Sequence, residues 1–415
     1  MGVKRVKSTT KREYETVPDF AELFRVCGLA LRFTGIFAID SVLTKSDNKL
    51  PDLKMVFYIF GLAPVIFEAI CEARTVIKYW DTDIYMALEI CTPTMSTSIC
   101  VTQGFCMYYF RKDLLQLISS TRDLWDQQIV HEIDDKLIRK VKKSQFITEI
   151  YAILMILLAT SFTLRPVVFL LMHVTLKRNE TFDFNQLAYP STYPFATDTM
   201  TRYILCFVLD VWIIFNAGSW WVGSDMIFLQ SATHLSVQYQ ILQHDLMMIK
   251  PGDNSSASIQ QVNAIGKRHA HLLSLVKQLK RLFSPLLWGM MVTTSIHMCI
   301  GVLSVHRELN NRNYAKIGNN TVHTIITMIQ PSIYCLYAND LIDRADETSM
   351  AAYECNWVDE SQGLKKALYL MSLRSQNGLK FRIYGSFNLD LNQLTQILIA
   401  AAKFLTMLIN LSESV

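Results

Sequence analysis

The chain has 415 residues, of which 51% are hydrophobic and 18% charged, with a formal net charge of +4. Soluble proteins carry about 25% charged residues, so the composition argues against a soluble globular protein, and the small net charge argues against a nucleic-acid partner. Nine cysteines without a Cys-x-x-Cys pair argue against a disulfide framework or a zinc site.

The apolar residues gather into runs long enough to cross a bilayer. Residues 1–52 come before them. They begin with a basic stretch, MGVKRVKSTTKREYE, which lacks the apolar core of a signal peptide and has Val6 where a myristoylation signal needs Ser or Thr. Phe20 to Phe37 then reads as an amphipathic helix with Phe20, Leu23, Phe24, Cys27 and Leu31 on one face. Glu22, Arg25 and Arg32 interrupt it, so it lies against the membrane or the helix bundle and does not cross.

Six spans are expected within residues 53–341. The first is about Leu53–Ile77, with Gly61 and Pro64 inside, and the second about Ile84–Phe110, with Pro93 as a kink. A charged helical stretch, Arg111–Gln145, leads to the third, about Phe146–His173. There Arg165 is placed to snorkel. A loop over 174–200 precedes the fourth, about Tyr203–Leu229, which continues as a helix to Met248. Pro251–Ser258 reads as a turn. The fifth span is about Leu282–Val305, Arg307–Asn320 a loop, and the sixth about Thr321–Leu341 around Pro331. Residues 342–386 form a charged segment, and residues 387–415 hold the seventh span, Phe387–Leu411, with a short tail.

That last run differs from the others. Asn392, Gln396, Lys403 and Asn410 recur near one helix face. Polar side chains are costly in lipid and face a bundle interior or water. The helix therefore lines a pore, or it packs inside a bundle with its polar groups paired; periodicity does not choose between the two.

Lys and Arg crowd alternate loops, which puts the N-terminus in the cytoplasm and, after seven spans, the C-terminus outside. The sequons at Asn179 and Asn319 fall in the expected outer loops, and the one at Asn254 in an inner loop. This orientation is opposite to that of G-protein-coupled receptors, whose Asp-Arg-Tyr and Asn-Pro-x-x-Tyr signatures are absent. Asp210 and Asp225 fall within the fourth span, where a carboxylate suggests function by default. A structural role suits Asp225, and Asp210 remains open. No phosphate loop, nucleophile elbow or His-Glu-x-x-His motif points to an enzyme, and no cofactor is expected.

The region Tyr353–Leu411 resembles the C-terminal signature of insect odorant receptors. It matches at Tyr353, Trp357, Ser375-Gln376, Gly385-Ser386-Phe387 and the run from Ile397 to Leu408 with Ala400, Ala401, Phe404 and Thr406. Asn377-Gly378 replaces a proline common after the Ser-Gln pair, and a basic residue often found near Ile399 stands one turn later, at Lys403. The resemblance implies an all-α, seven-span, multi-pass plasma-membrane protein, in sensory dendrites. It would act as a ligand-gated, non-selective cation channel of four subunits around a pore lined by the last helix. The short loop between the fourth and fifth spans suits a tuning subunit partnered by a coreceptor.

By the same resemblance, the gate falls at Met407, Asn410 and Leu411. A small volatile, apolar ligand would sit in the outer half of the bundle, near Met95, Phe162, Tyr203, Phe207, Val211, His323, Thr327 and Gln330. Any one of these is also an ordinary packing residue. A gustatory-receptor-like channel and a secondary transporter are the alternatives. The first lacks its Thr-Tyr…Gln-Phe signature here, and the second its paired repeats and broken helices.

Overall fold

The protein is seen in a computed structural model that describes residues 18–34, 51–129, 134–176, 184, 187–189, 191–249, 255–310, 312, 314–358, 360–376 and 378–413. Its helices are α1 (Phe20–Leu23), α2 (Arg25–Phe33), α3 (Pro51–Trp80), α4 (Ile84–Tyr109), α5 (Arg111–Ile129), α6 (Asp135–Leu176), α7 (Met200–Met247), α8 (Ser255–Asn310), α9 (Tyr314–Glu354) and α10 (Gln362–Gln376). A two-stranded ribbon of β1 (Arg382–Ile383) and β2 (Phe387–Asn388) precedes α11 (Leu391–Glu413).

Among the described residues, α3, α4, α6, α7 and α8 each contain a stretch long and apolar enough to cross a membrane. With α9 and α11 they occupy the seven expected positions.

Several expected boundaries move. The stretch Arg307–Asn320, expected as a loop, is mostly helical, because α8 runs to Asn310 and α9 starts at Tyr314. Asn319 therefore lies inside a helix, and its side chain is outside the described residues, as is all of Asn179. The last helix begins at Leu391, not Phe387. Phe387 pairs with Ile383 across an antiparallel ribbon, turned by Tyr384 and Gly385 with φ of 44° and 72°. The Asp390 carboxylate then caps the helix, accepting from Gln393 N–H at 2.8 Å.

The amphipathic N-terminal stretch lies against the bundle. Phe20, Leu23, Phe24, Cys27 and Leu31 are all buried. The Phe20 and Phe24 rings sit 5.1 and 5.7 Å from the His234 ring of α7, and Trp125 of α5 meets the same imidazole edge-on at 5.0 Å. A side chain at Gly223 would bring its Cβ within 2.7 Å of Leu31 Cδ2, so any larger residue there would have to displace the buried Leu31.

Helix α7 is the axis. Every residue from Val222 to Tyr239 is buried, and Phe228 packs against Phe283, Tyr334 and Phe381 with ring centroids 5.3, 4.6 and 5.9 Å away. Each such aromatic contributes about 1.5–3 kcal/mol by leaving water. The prolines inside the spans leave carbonyls unpaired four residues earlier, because proline has no N–H. Neighbours fill two of these. Trp212 Nε1 donates to the Phe60 carbonyl freed by Pro64, at 3.3 Å. The Thr92 hydroxyl donates to the Glu89 carbonyl freed by Pro93, at 2.8 Å.

At the end carrying the basic loops, polar side chains cross-link the helices. Lys140 of α6 stands 2.7 Å from Asp340 of α9, which also accepts from Ser236 of α7 at 2.6 Å. Burial pushes the Lys140 ammonium down, and the Asp340 carboxylate beside it opposes that shift. Arg268 of α8 pairs with Asp245 at 2.8 Å and donates to Gln238 at 2.9 Å, both on α7.

Candidate functional site

Three arrangements stand out along the bundle, away from that basic end. The first is a carboxylate hub. Asp225 is 1% exposed, yet donors from two other helices converge on it. Tyr151 of α6 donates at 2.6 Å, and Tyr334 and Gln330 of α9 at 2.7 and 3.0 Å. A carboxylate has about four acceptor positions, and here they are met by hydroxyls and an amide with no basic group. The hub ties α6, α7 and α9 together at one level. Gln330, expected at the ligand, spends its amide here.

The second is an acidic cluster beneath the segment that leads into α7. Glu68 and Glu72 of α3 and Asp210 of α7 are all fully buried. Asp210 accepts from Ala188 N–H at 3.2 Å and from the Tyr193 hydroxyl, which stands 3.3 Å from Glu68. Ser191 donates to Glu68, and Thr192 N–H donates to Thr75 of α3 at 2.7 Å. Glu72 has only Thr97 of α4 as a polar side-chain neighbour, and neither of its carboxylate oxygens makes a hydrogen bond of good geometry among the described residues. Asp210 thus fastens Ala188 and Tyr193 to the bundle, a role its sequence left open.

The residues expected around a ligand differ in burial and in what they pack against. Tyr203 is buried with Cys71, Leu187, Tyr193 and Cys206, and Phe207 packs against the same cluster. This is the α3 side. Met95 and Val211 are half-buried, Thr327 is half-buried with its hydroxyl on the Thr324 carbonyl, and Phe162 is 43% exposed. The side chain of His323 lies outside the described residues. Sequence reasoning overlooked His297 of α8, whose Nε2 stands 3.0 Å from the Thr92 carbonyl, just before the Pro93 kink.

The third arrangement is on α11. Ile397 and Ala401 are buried against the bundle, while Lys403, Thr406, Met407 and Asn410 line an open groove of about 490 Å³ on the other side. Leu411 belongs to the same helix, with its side chain outside the described residues.

Comparison with known proteins gives these arrangements a context. The family model described as 7tm Odorant receptor matches residues 83–402. "Putative odorant receptor 92a" of Drosophila melanogaster is 20% identical over 66% of this chain and 66% of its own length. "Odorant receptor 82a" of the same species is 24% identical over 72% of this chain and 77% of its own. "Odorant receptor coreceptor" of Aedes aegypti matches 35% of this chain and 30% of its own length at 22% identity. The olfactory receptor OR5 of Machilis hrabei superposes with a TM-score of 0.74 at 14% identity, covering 93% of this chain and 99% of that one. Its complex with eugenol superposes at 0.73 and 13% identity, covering 94% of this chain and all of that one.

Proposed function

The chain belongs to the odorant receptor family of seven-helix, multi-pass membrane proteins, and from that premise we propose that it is the odorant-tuned subunit of a cation channel in the plasma membrane. The observation that carries this reading is the family match over residues 83–402, together with a fold shared along nearly the whole chain with an olfactory receptor whose eugenol complex is known. The ligand is a small, apolar, volatile molecule. It is held among Met95, Phe162, Val211, Thr327 and His323, with Tyr203 and Phe207 closing the α3 side and Gln330 at the floor.

This orientation places the basic end in the cytoplasm. Residues 188–193 are then outside, where Asn179 and Asn319 stand as glycan acceptors. Helix α11 lines the pore with partner subunits, and Met407, Asn410 and Leu411 form its narrow part. Rings of apolar side chains close such a path by dewetting, and an amide meets the passing ion. Opening follows from tighter ligand binding to the open state than to the closed one. The Asp225 hub is placed to carry that difference, because Gln330 links the ligand level to α6 and α7 through one carboxylate.

The partner is an odorant coreceptor. Expressing the chain with and without one, and recording currents evoked by a mixture of volatile esters, alcohols and phenols, tests this reading. Current only in the co-expressing cells supports it. A response pattern identical to that of the coreceptor alone overturns it.

A further inference from the structure

Helix α11 carries a single charge between its ends. From Leu391 to Ser412 the sequence holds no acid and no base except Lys403, twelve residues after Leu391. That depth matters, because a charge near the middle of the hydrocarbon costs several kcal/mol unless water or an opposite charge receives it. The helix period of about 3.6 residues puts Lys403 on the side opposite Ile397 and Ala401, which are buried against α8 and α9. None of the ion pairs among the described residues involves it. Its neighbours in the groove are Thr406, Met407 and Asn410, and Asn392 and Gln396 continue the polar line towards the helix start.

A lone ammonium that turns its back on its own bundle, along a line of amides and a hydroxyl, is set into water. We infer that Lys403 projects into the ion path and discriminates against divalent cations, making this subunit the one that lowers calcium entry relative to sodium. The physics is direct. A fixed positive charge beside the path repels a doubly charged ion twice as strongly as a singly charged one at the same distance. The pore stays open to monovalent cations because each such subunit adds one charge, on a long stem that bends aside. This inference rests on α11 lining the pore.

Two measurements on the full chain, assembled with a coreceptor, test it. The first is labelling of K403C in intact membranes by a charged, membrane-impermeant thiol reagent, with I397C and N410C alongside and the unmodified chain as background. Labelling of K403C and N410C above I397C is expected. Labelling of N410C without K403C overturns the inference and leaves the pore reading standing. Labelling of neither removes both. The second is the calcium-to-sodium permeability ratio from reversal potentials. K403Q is expected to raise it about twofold or more and K403E further, while K403R holds the original value. A ratio that is equal in K403R, K403Q and K403E overturns the inference, whatever the labelling shows.

Discussion

The two halves of α7 hold the bundle in different ways. From Val222 to Tyr239 no residue reaches the surface, whereas between Met200 and Phe215 buried and exposed positions alternate. The neighbouring helix repeats the contrast. The most apolar window of α6 is only 6% buried, while the start of α6 is pinned by Lys140 and Ser144 to α7 and α9. One half is stabilised by its own packed core. The other leaves apolar side chains on its surface. A receptor needs both, since a site that must change shape is drawn from the less tightly packed end.

The comparison makes predictions that can be broken. The largest concerns the packed half. Phe228→Ala removes a ring held by three others and is expected to cost about 3–5 kcal/mol. Phe162→Ala on the open half should cost less than about 1 kcal/mol and change the odour response. Thermal unfolding of both purified variants checks this, and equal losses would erase the distinction between the halves.

Next is the junction between them. Asp225→Asn keeps the shape but turns an amide towards two hydroxyls and the Gln330 amide, leaving buried donors unmet at a cost of about 1–3 kcal/mol. Basal current should rise as well, because the link between α6, α7 and α9 is loosened. Tyr334→Phe, which removes one donor, should show the smaller change in both readouts.

On the open half, Glu72→Gln removes a buried carboxyl whose only polar side-chain neighbour is Thr97. Stability is expected to stay level or rise by up to about 1 kcal/mol, measured by the same unfolding assay. A clear loss would mean that the Glu72 carboxyl makes a stabilising contact that Gln cannot replace.

The smallest effect lies back in the packed half. His269 is buried beside Ser375, with Oγ to Nε2 at 3.3 Å. Burial, and then the nearby Arg374, push its imidazole below the ordinary 6.5. Below that value the unfolded chain takes up a proton that the folded chain refuses, so this contribution to stability is lost as pH falls. His269→Gln should flatten the slope of melting temperature against pH beneath about 6.5.

Much of the helical layout is legible in the sequence, because hydrophobic runs and proline kinks are local signals. The face of the N-terminal stretch is legible too, although its choice between lipid and bundle is not. That choice depends on a glycine at 223 and an imidazole at 234, each about two hundred residues away. The candidate site is less legible for the same reason. Asp225 finds partners 74, 105 and 109 positions away, and no periodicity announces them. Tyr203 and Phe207 share a helix with Val211, yet which neighbour they meet is decided by how α7 is rotated against α3. The seventh span keeps its polar line but starts late, because Asp390 and a two-residue ribbon fix its entry.

The aromatic insertion at the front of the chain also has a practical side. Phe20 and Phe24 pack on the His234 imidazole that Trp125 also meets, so shortening the protein from its start should fail abruptly once Phe20 is removed. A deletion series would show a cliff, with surface delivery lost once the first of those rings is gone.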